Sequence, residues 1–504
     1  MSQLERPVGL IDLLKFPLLG NLLRWRYGRL VFQIPLFAIA LLLIYDGFTG
    51  SPIASQNLAT IAPWVHYRGL VIVALLLAGN LFCMGCPFTI PRTLAKRLSR
   101  RGPRFPRILR NKGLAIAGLF ILFFLYEWLD LWASPALTAW VIIFYFAASF
   151  VLEMVFTESA FCKYVCPLGT FNFVYSTVSP LQITARNGDI CATCVGKECV
   201  NGSYNEQPMI LIDQIGVNGQ PDKTHTNGPD GVLGCGTLLF VPQIKSNMEC
   251  TFCLDCVRAC PHENVALKVR APGAELTSSE SLPKRWDVSL LLICLAFMGV
   301  TNAFGMVPPV YDLLQNIAQT LGLTQLGWGD TAIEGVVLFI LFSVTSLILP
   351  ITLTFAAAAL SNQFGKKRTS LRETAAAFAP AFVPIGLGIW IAHYGFHFLT
   401  GIFSIVPVFQ QFLIDHGVTL LGTAPNRTFG GVVDTDIIGI VQLVALMGGF
   451  LFSMLLVQRT SQRLYRRQAV AGMLSWALLI LLLMMASIWI FSLPMEMRGT
   501  VIFN

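Results

Sequence analysis

Cys250-Thr251-Phe252-Cys253-Leu254-Asp255-Cys256-Val257-Arg258-Ala259-Cys260-Pro261 reads as a C-x2-C-x2-C-x3-C-P run. At that spacing three thiolates curl around one [4Fe–4S] cube, and the fourth, turned outward before its proline, ligates a neighbouring cube. One run therefore predicts two clusters. Cys191, Cys194 and Cys199, in C-A-T-C-V-G-K-E-C, supply three ligands for the second, with Cys260 as the fourth. Cys235, in Gly234-Cys235-Gly236, is the one cysteine between the two runs, which makes it the candidate to complete the set of Cys250, Cys253 and Cys256. The competing reading is zinc, because paired C-x2-C motifs also build tetrahedral all-cysteine sites. Disulfides are disfavoured by the cytoplasmic placement derived next.

The 504 residues are 55% hydrophobic and 12% charged, with a mean hydropathy of +0.66. A soluble chain carries about 25% charged residues, and a bilayer-crossing helix needs about 20 apolar ones. Nine stretches qualify, centred near Ala40, Leu77, Leu122, Tyr145, Leu295, Phe342, Ile389, Met447 and Leu481. With the N-terminus inside, the outer segments hold only Arg68, Arg427 and Arg498, leaving 32 of 35 basic residues on the inner side, as the positive-inside rule requires. The expected fold is thus a polytopic α-helical membrane protein of about nine spans, N-in and C-out, in the cell's inner (cytoplasmic) membrane. The net charge of +8 is a topology signal. The basic run Arg92 to Lys112 reads as an inner loop against anionic lipid, and no groove-reading motif supports a nucleic-acid partner. Arg24, Arg26 and Arg29 precede the first span with no small-residue cleavage site after it, so that span reads as an anchor.

The chain divides into a four-span unit (1–156), a cytoplasmic ferredoxin-like domain for the two clusters (157–285) and a five-span unit (286–504). Inside the middle part, Asn201-Gly202, Asn218-Gly219 and Asn227-Gly228 surround a short apolar run from Met209 to Ile215, the pattern of an inserted hairpin.

A repeat marks the first unit. Its second span ends in Cys83-Met84-Gly85-Cys86-Pro87 and its fourth in Cys162-Lys163-Tyr164-Val165-Cys166-Pro167. If the two hairpins pack as related halves, four thiols converge at the inner face. Such a set suits a further Fe–S cluster, a zinc or redox-active disulfides; the plainer alternative is four small buried hydrophobes. Cys294, alone in span five, reads as packing.

These motifs, over roughly residues 60–280, resemble the membrane quinol-dehydrogenase family of NapH, a periplasmic nitrate reductase component, and the related NosR and FixG-type (CcoG) proteins. The resemblance implies a redox subunit that passes electrons between the quinone pool, or another donor, and a periplasmic or membrane redox protein. Its FixG side implies a second reading, copper handling or cofactor assembly with the clusters as reductant. The five C-terminal spans have no counterpart in that pattern.

Those spans carry Ile391-Ala392-His393-Tyr394-Gly395-Phe396-His397-Phe398. His393 and His397, four apart, share one helix face, and His66 and His416 are expected on the same outer side. Such histidines are candidates for copper, zinc, haem or a quinol head group, or for interhelical hydrogen bonds. Met306-Val307-Pro308-Pro309 and Pro494-Met495-Glu496-Met497 add outer thioethers, soft donors for copper. Glu153 is either a proton relay or a snorkelling carboxylate, while Asp46, Glu127 and Asp130 are expected to be solvated at outer helix ends.

Overall fold

Seven helical runs among the described residues are long and apolar enough to cross a bilayer, so the chain is a polytopic helical membrane protein. The structure is a computed structural model describing residues 11–92, 95, 102–203, 231–278, 285–426 and 433–496. In chain order the apolar helices are α1 (Gly28–Thr49), α2 (Leu58–Ala78), α3 (Gly113–Trp128), α4 (Pro135–Val155), α5 (Trp286–Phe304), α6 (Asp330–Phe364), α7 (Leu371–Thr400), α8 (Thr435–Tyr465) and α9 (Ala469–Ser492). α3 has only 16 residues. α8 and α9 form one long run divided at Arg466, whose φ of 47° breaks the helical path. All nine expected centres fall within these helices.

Leu77 is the displaced centre, lying at the end of α2 rather than its middle. α2 stops at Gly79, in the left-handed region at φ 67°, where a Cβ would sit 2.6 Å from Ser179 Oγ. A residue with a side chain is therefore strained there on two counts. The chain turns and re-enters a short helix, Leu81–Gly85, that carries Cys83.

The polar part of the chain is organised on a three-stranded antiparallel sheet, order β1-β3-β2, made from β1 (Ile11–Asp12), β2 (Leu181–Ala185) and β3 (Val265–Val269). β2 and β3 pair from Leu181 with Val269 to Ala185 with Val265. β1 is a contribution from the N-terminus that the sequence reading left out. Two residues give no periodicity to detect, and Asp12 secures them through a 2.9 Å ion pair with Arg186. The expected hairpin at Met209 to Ile215 lies outside the described residues; the backbone on either side is joined by an antiparallel bridge between Ser203 and Val232.

Three expectations about charged residues are corrected by burial. Asp46 and Glu127 are buried rather than solvated. Asp46 accepts the Leu58 amide at 2.7 Å at the start of α2, and Glu127 accepts from Asn302 Nδ2 at 3.0 Å. Asp130 is exposed as expected. Arg68 is not an outer-loop cation: it is 5% exposed, caged by the rings of Trp64, Tyr126 and Tyr394 at 4.7, 4.2 and 4.9 Å. The ends of the basic run also turn inward. Arg92 and Lys112 are buried against carboxylates.

The C-terminal helices pack around α5 and α7, where Trp390 and Trp476 are completely buried. Phe123 of α3 stacks on Trp390 at 5.1 Å, so the two membrane units share one core.

Candidate functional site

The Cys250 run is a tight loop followed by a short helix, Asp255–Ala259, and the Cys191 run is a tight turn between two short helices, Gly188–Thr193 and Glu198–Asn201. Tight curls of this kind need left-handed backbone. Of nine non-glycine residues with positive φ among the described residues, six lie in these loops: Lys197, Leu238, Glu249, Phe252, Leu254 and Glu263. The loops bring together the sets read from sequence. Cys191, Cys194, Cys199 and Cys260 line one small cavity of about 20 Å³. Cys235 and Cys253 are close enough to Cys250 and Cys256 to influence the ionisation of those two thiols. Burial raises the thiol of Cys199 to about 11, and Cys260, Cys191 and Cys194 add to the rise. Burial likewise raises Cys250 and Cys256, and the Cys235 and Cys253 thiols add to the rise. Metal uptake by these thiols must therefore release protons.

The sulfurs also receive hydrogen bonds. Asn264 donates its amide N–H to Cys260 Sγ at 3.4 Å and its side-chain Nδ2 to Cys191 Sγ at 3.2 Å; Leu239 N–H donates to Cys235 Sγ at 3.4 Å. Adjacent sets are linked through backbone. The Cys235 amide donates to Cys199 O at 3.0 Å.

Cations flank the second set. Buried Asp255 meets Arg258 at 2.6 Å, Arg92 at 3.6 Å and Arg29 at 3.9 Å. Arg92 also reaches Glu153 at 3.6 Å, so Glu153 is an interior ion-pair partner rather than a snorkelling group. Lys112, 1% exposed, pairs with Glu249 at 2.9 Å, and Lys163 lies 3.4 Å from the same carboxylate. Burial alone would raise Glu249, but Lys112 and Lys163 reverse this and hold it below 4.5.

The membrane motifs converge as well. Cys162 lies in an i→i+5 turn, with the Cys166 amide on Phe161 O at 2.8 Å, and Pro167 then starts a new helix. Cys83, Cys86, Cys162 and Cys166 all line one apolar cavity of about 600 Å³. Asn172 Nδ2 donates to Cys83 Sγ at 3.3 Å, and the Gly169 amide to Cys166 Sγ at 3.2 Å. Asn80 Nδ2 donates to Cys250 O at 2.6 Å, tying this region to the second set. The cavity wall also holds Tyr67, Tyr145, His66 and Arg68. Tyr145 Oη and Arg68 Nη1 are buried with no hydrogen-bond partner among the described residues. A widened turn over Ala62–Tyr67 in α2, with Pro63 at its start, immediately precedes Arg68.

The chain matches no family model, no curated protein and no solved structure. Its function must be argued from its own geometry.

Among the described residues no group of three His, Cys, Asp or Glu is arranged to hold a metal ion. The histidines divide. His66 has ring nitrogens 3.2 Å from Ile61 O and Ile402 O, which makes it part of the cavity wall. His416 contacts Phe412 O at 2.8 Å and Tyr45 Oη at 3.1 Å. His393 and His397 stay together, ring centroids 5.5 Å apart, and His393 Nε2 lies 2.9 Å from Met306 Sδ. Arg68, Tyr145, Asn172 and Asn80 were missed as site residues. Arg68 could have been found, since a cation beside an apolar helix is a functional candidate by default; the others had no sequence signal.

Proposed function

We propose that the chain is a membrane iron–sulfur electron carrier: two [4Fe–4S] clusters in the sheet-based domain, with the membrane cysteines extending the path to a quinone in the apolar cavity. One observation carries this reading. Hydrogen bonds join the Cys199 run to Cys235 and join Cys250 to Asn80 beside the first membrane motif, and Cys83, Cys86, Cys162 and Cys166 all line the cavity.

Each set supplies four thiols, the ligand count of a cube. A tetrahedral zinc would draw four sulfurs to within about 3.8 Å of one another, given Zn–S bonds of about 2.3 Å; a cube gives each thiolate its own iron and so accepts a wider set. The N–H donors on Cys260, Cys191, Cys235, Cys83 and Cys166 stabilise thiolate charge. Arg29, Arg92 and Arg258 place positive charge beside the second set. Clusters bound there supply one-electron transfer. The protein's part is to hold the sets beside one another, bury Cys250, Cys253 and Cys256, and present Tyr145 Oη as a hydrogen-bond donor to a quinone carbonyl. Electron direction follows from the partner's potential. On this reading an outer redox protein is the other partner, and the chain acts as the redox subunit of a quinol-dehydrogenase-type complex in the cytoplasmic membrane.

The test is iron and acid-labile sulfide per chain, with zinc and haem counted alongside, on protein isolated anaerobically in detergent, followed by addition of a short-chain quinol. About eight iron atoms are expected for two cubes and about twelve if the membrane thiols carry a third, with quinol bleaching the cluster absorbance. Near-zero iron with stoichiometric zinc overturns the proposal.

A further inference from the structure

We infer that Arg68 makes the apolar cavity a binding site for an anionic amphiphile, a ligand that carries an oxyanion on an apolar body. The site shares its cavity with the quinone proposed above and does not rest on that proposal.

The local sequence explains how a cation comes to stand there. The widened turn over Ala62–Tyr67 ends immediately before Arg68, and turns of this kind are frequent at functional sites. Gly69 follows, and a Cβ there would collide with the Phe398 ring, so the glycine lets α7 approach α2 closely. Phe398 stands one turn beyond Tyr394 on α7. The same approach therefore lays the Tyr394 ring over the guanidinium, and Trp64 and Tyr126 complete the cage.

Aromatic faces meet the charge but leave its N–H groups in need of acceptors. A guanidinium stays charged inside a protein and offers five donors. Arg68 is 5% exposed, its Nη1 has no hydrogen-bond partner among the described residues, and the described residues lining the cavity include no Asp or Glu. A charge buried in this way is stable when paired, and the ligand is the remaining source of a counter-ion. The cage also excludes the opposite choice. Three aromatic faces would suit a cationic head group, but Arg68 already occupies them and repels a second cation.

Position and volume define the rest of the ligand. Tyr126 lies near the far end of α3, about 20 Å of helix from Gly113 at the cysteine-domain joint. Trp64 Nε1 donates to Thr138 Oγ1 at 2.9 Å, and Thr138 stands two turns before Tyr145 on α4, about 10 Å along the helix. The cage is thus a second polar station in the wall, apart from Tyr145, which packs with Cys166. A free inorganic ion would lose its hydration to an apolar wall. An ion carried on an apolar body offsets that loss by burying its own surface, and about 600 Å³ is an ordinary volume for such a ligand.

The experiment measures binding of two matched pairs of probes to the full chain in detergent, by equilibrium dialysis at mildly alkaline pH. One pair is an alkylated hydroxynaphthoquinone and its methyl ether; the other is lauric acid and lauryl alcohol. The first member of each pair ionises and the second does not. Parent, Arg68→Gln and Arg68→Lys proteins are compared, so that partition of each probe into micelles cancels. Arg68→Gln is expected to weaken binding of an ionised probe by about ten- to a hundredfold, the scale of a hydrogen bond to a charged group, and to leave its neutral partner at the parent affinity; Arg68→Lys keeps most of the parent's affinity for the anion. A loss confined to the naphthoquinone assigns the site to a quinone-type acid, and one confined to laurate assigns it to a lipid carboxylate. No loss for either acid, or equal losses for acid and neutral partner, overturns the inference. Elution profile and melting temperature show whether Arg68→Gln is folded. If it is not, the parent decides: binding of the acid beyond that of micelles alone must fall as pH drops through the probe's own pKa, and binding that stays constant overturns the site. The readout needs neither iron nor electron transfer, so its failure leaves the cluster reading standing, and an iron-free chain leaves the anion site to be judged on its own.

Discussion

The cysteine domain and the C-terminal helices are held together by different physics. In the first, strained backbone and buried charge dominate: six left-handed non-glycine residues, and the Arg92, Lys112 and Arg270 ion pairs, each with a nearly inaccessible cation. Left-handed residues of this kind cost of order 1–3 kcal/mol each and persist where surrounding structure overdetermines them. In the second, close packing dominates. A Cβ on Gly388 would meet Ala445 O at 2.6 Å, and one on Gly449 would meet Pro384 O at 2.6 Å, so α7 and α8 approach as small-residue membrane helices do. The difference teaches that the first region is shaped around convergent thiols and the second around its own interior. Substitutions should therefore fail in different ways.

The largest expected effect is Glu249→Gln. It leaves Lys112 buried without its 2.9 Å partner, and breaking a buried pair on one side costs about 3–5 kcal/mol. Thermal unfolding in detergent should fall sharply, with loss of iron because Cys250 is the next residue. The pH dependence has a definite sign. Glu249 is held below its ordinary 4.5 in the folded chain, so its stabilisation is present above about 4.5 and is lost as pH falls through the depressed folded value. The variant should lack that acid-side loss. An unchanged melting temperature would remove the ion pair from the account of how the cysteine domain joins α3.

A smaller effect of the opposite kind is expected from Gly449→Leu. Overpacking at the α7–α8 contact costs about 1–3 kcal/mol, so the melting temperature should drop while iron per chain stays at the parent value. Loss of iron in this variant would mean that the two regions fold as one cooperative unit and that the contrast between them is false.

How much of this was legible in the sequence follows from the same contrast. Spans are legible because apolar length is a local property, and all nine centres fall within helices. The grouping of thiols in the membrane followed from repetition, Cys83 and Cys86 against Cys162 and Cys166. Polar residues inside the membrane unit were misread. Asp46, Glu127 and Arg68 stand near helix ends in the sequence, where water is the default partner, and only tertiary structure supplies the Leu58 amide, Asn302 and the aromatic cage that bury them. The pairing of Met306 with His393 was invisible for a related reason: 87 residues separate the two, and neither carries a motif.

The smallest effect tests where the cysteine region ends. Asn172 Nδ2 donates to Cys83 Sγ at 3.3 Å from a fully buried position, and a hydrogen bond of this type is worth about 0.5–1.5 kcal/mol net. An N–H donor stabilises the more negative, reduced form of a thiolate-ligated cluster over the oxidised form. Removing it in Asn172→Ala should therefore lower one midpoint potential by roughly 20–60 mV, the same energy expressed for a one-electron couple. The other potentials should not move, because Asn264 and Leu239 serve the domain sets separately. A redox titration followed by electron paramagnetic resonance reads this directly. If every potential stays at its parent value, Cys83 is not a cluster ligand, and the electron path stops at Cys250, where Asn80 meets the domain.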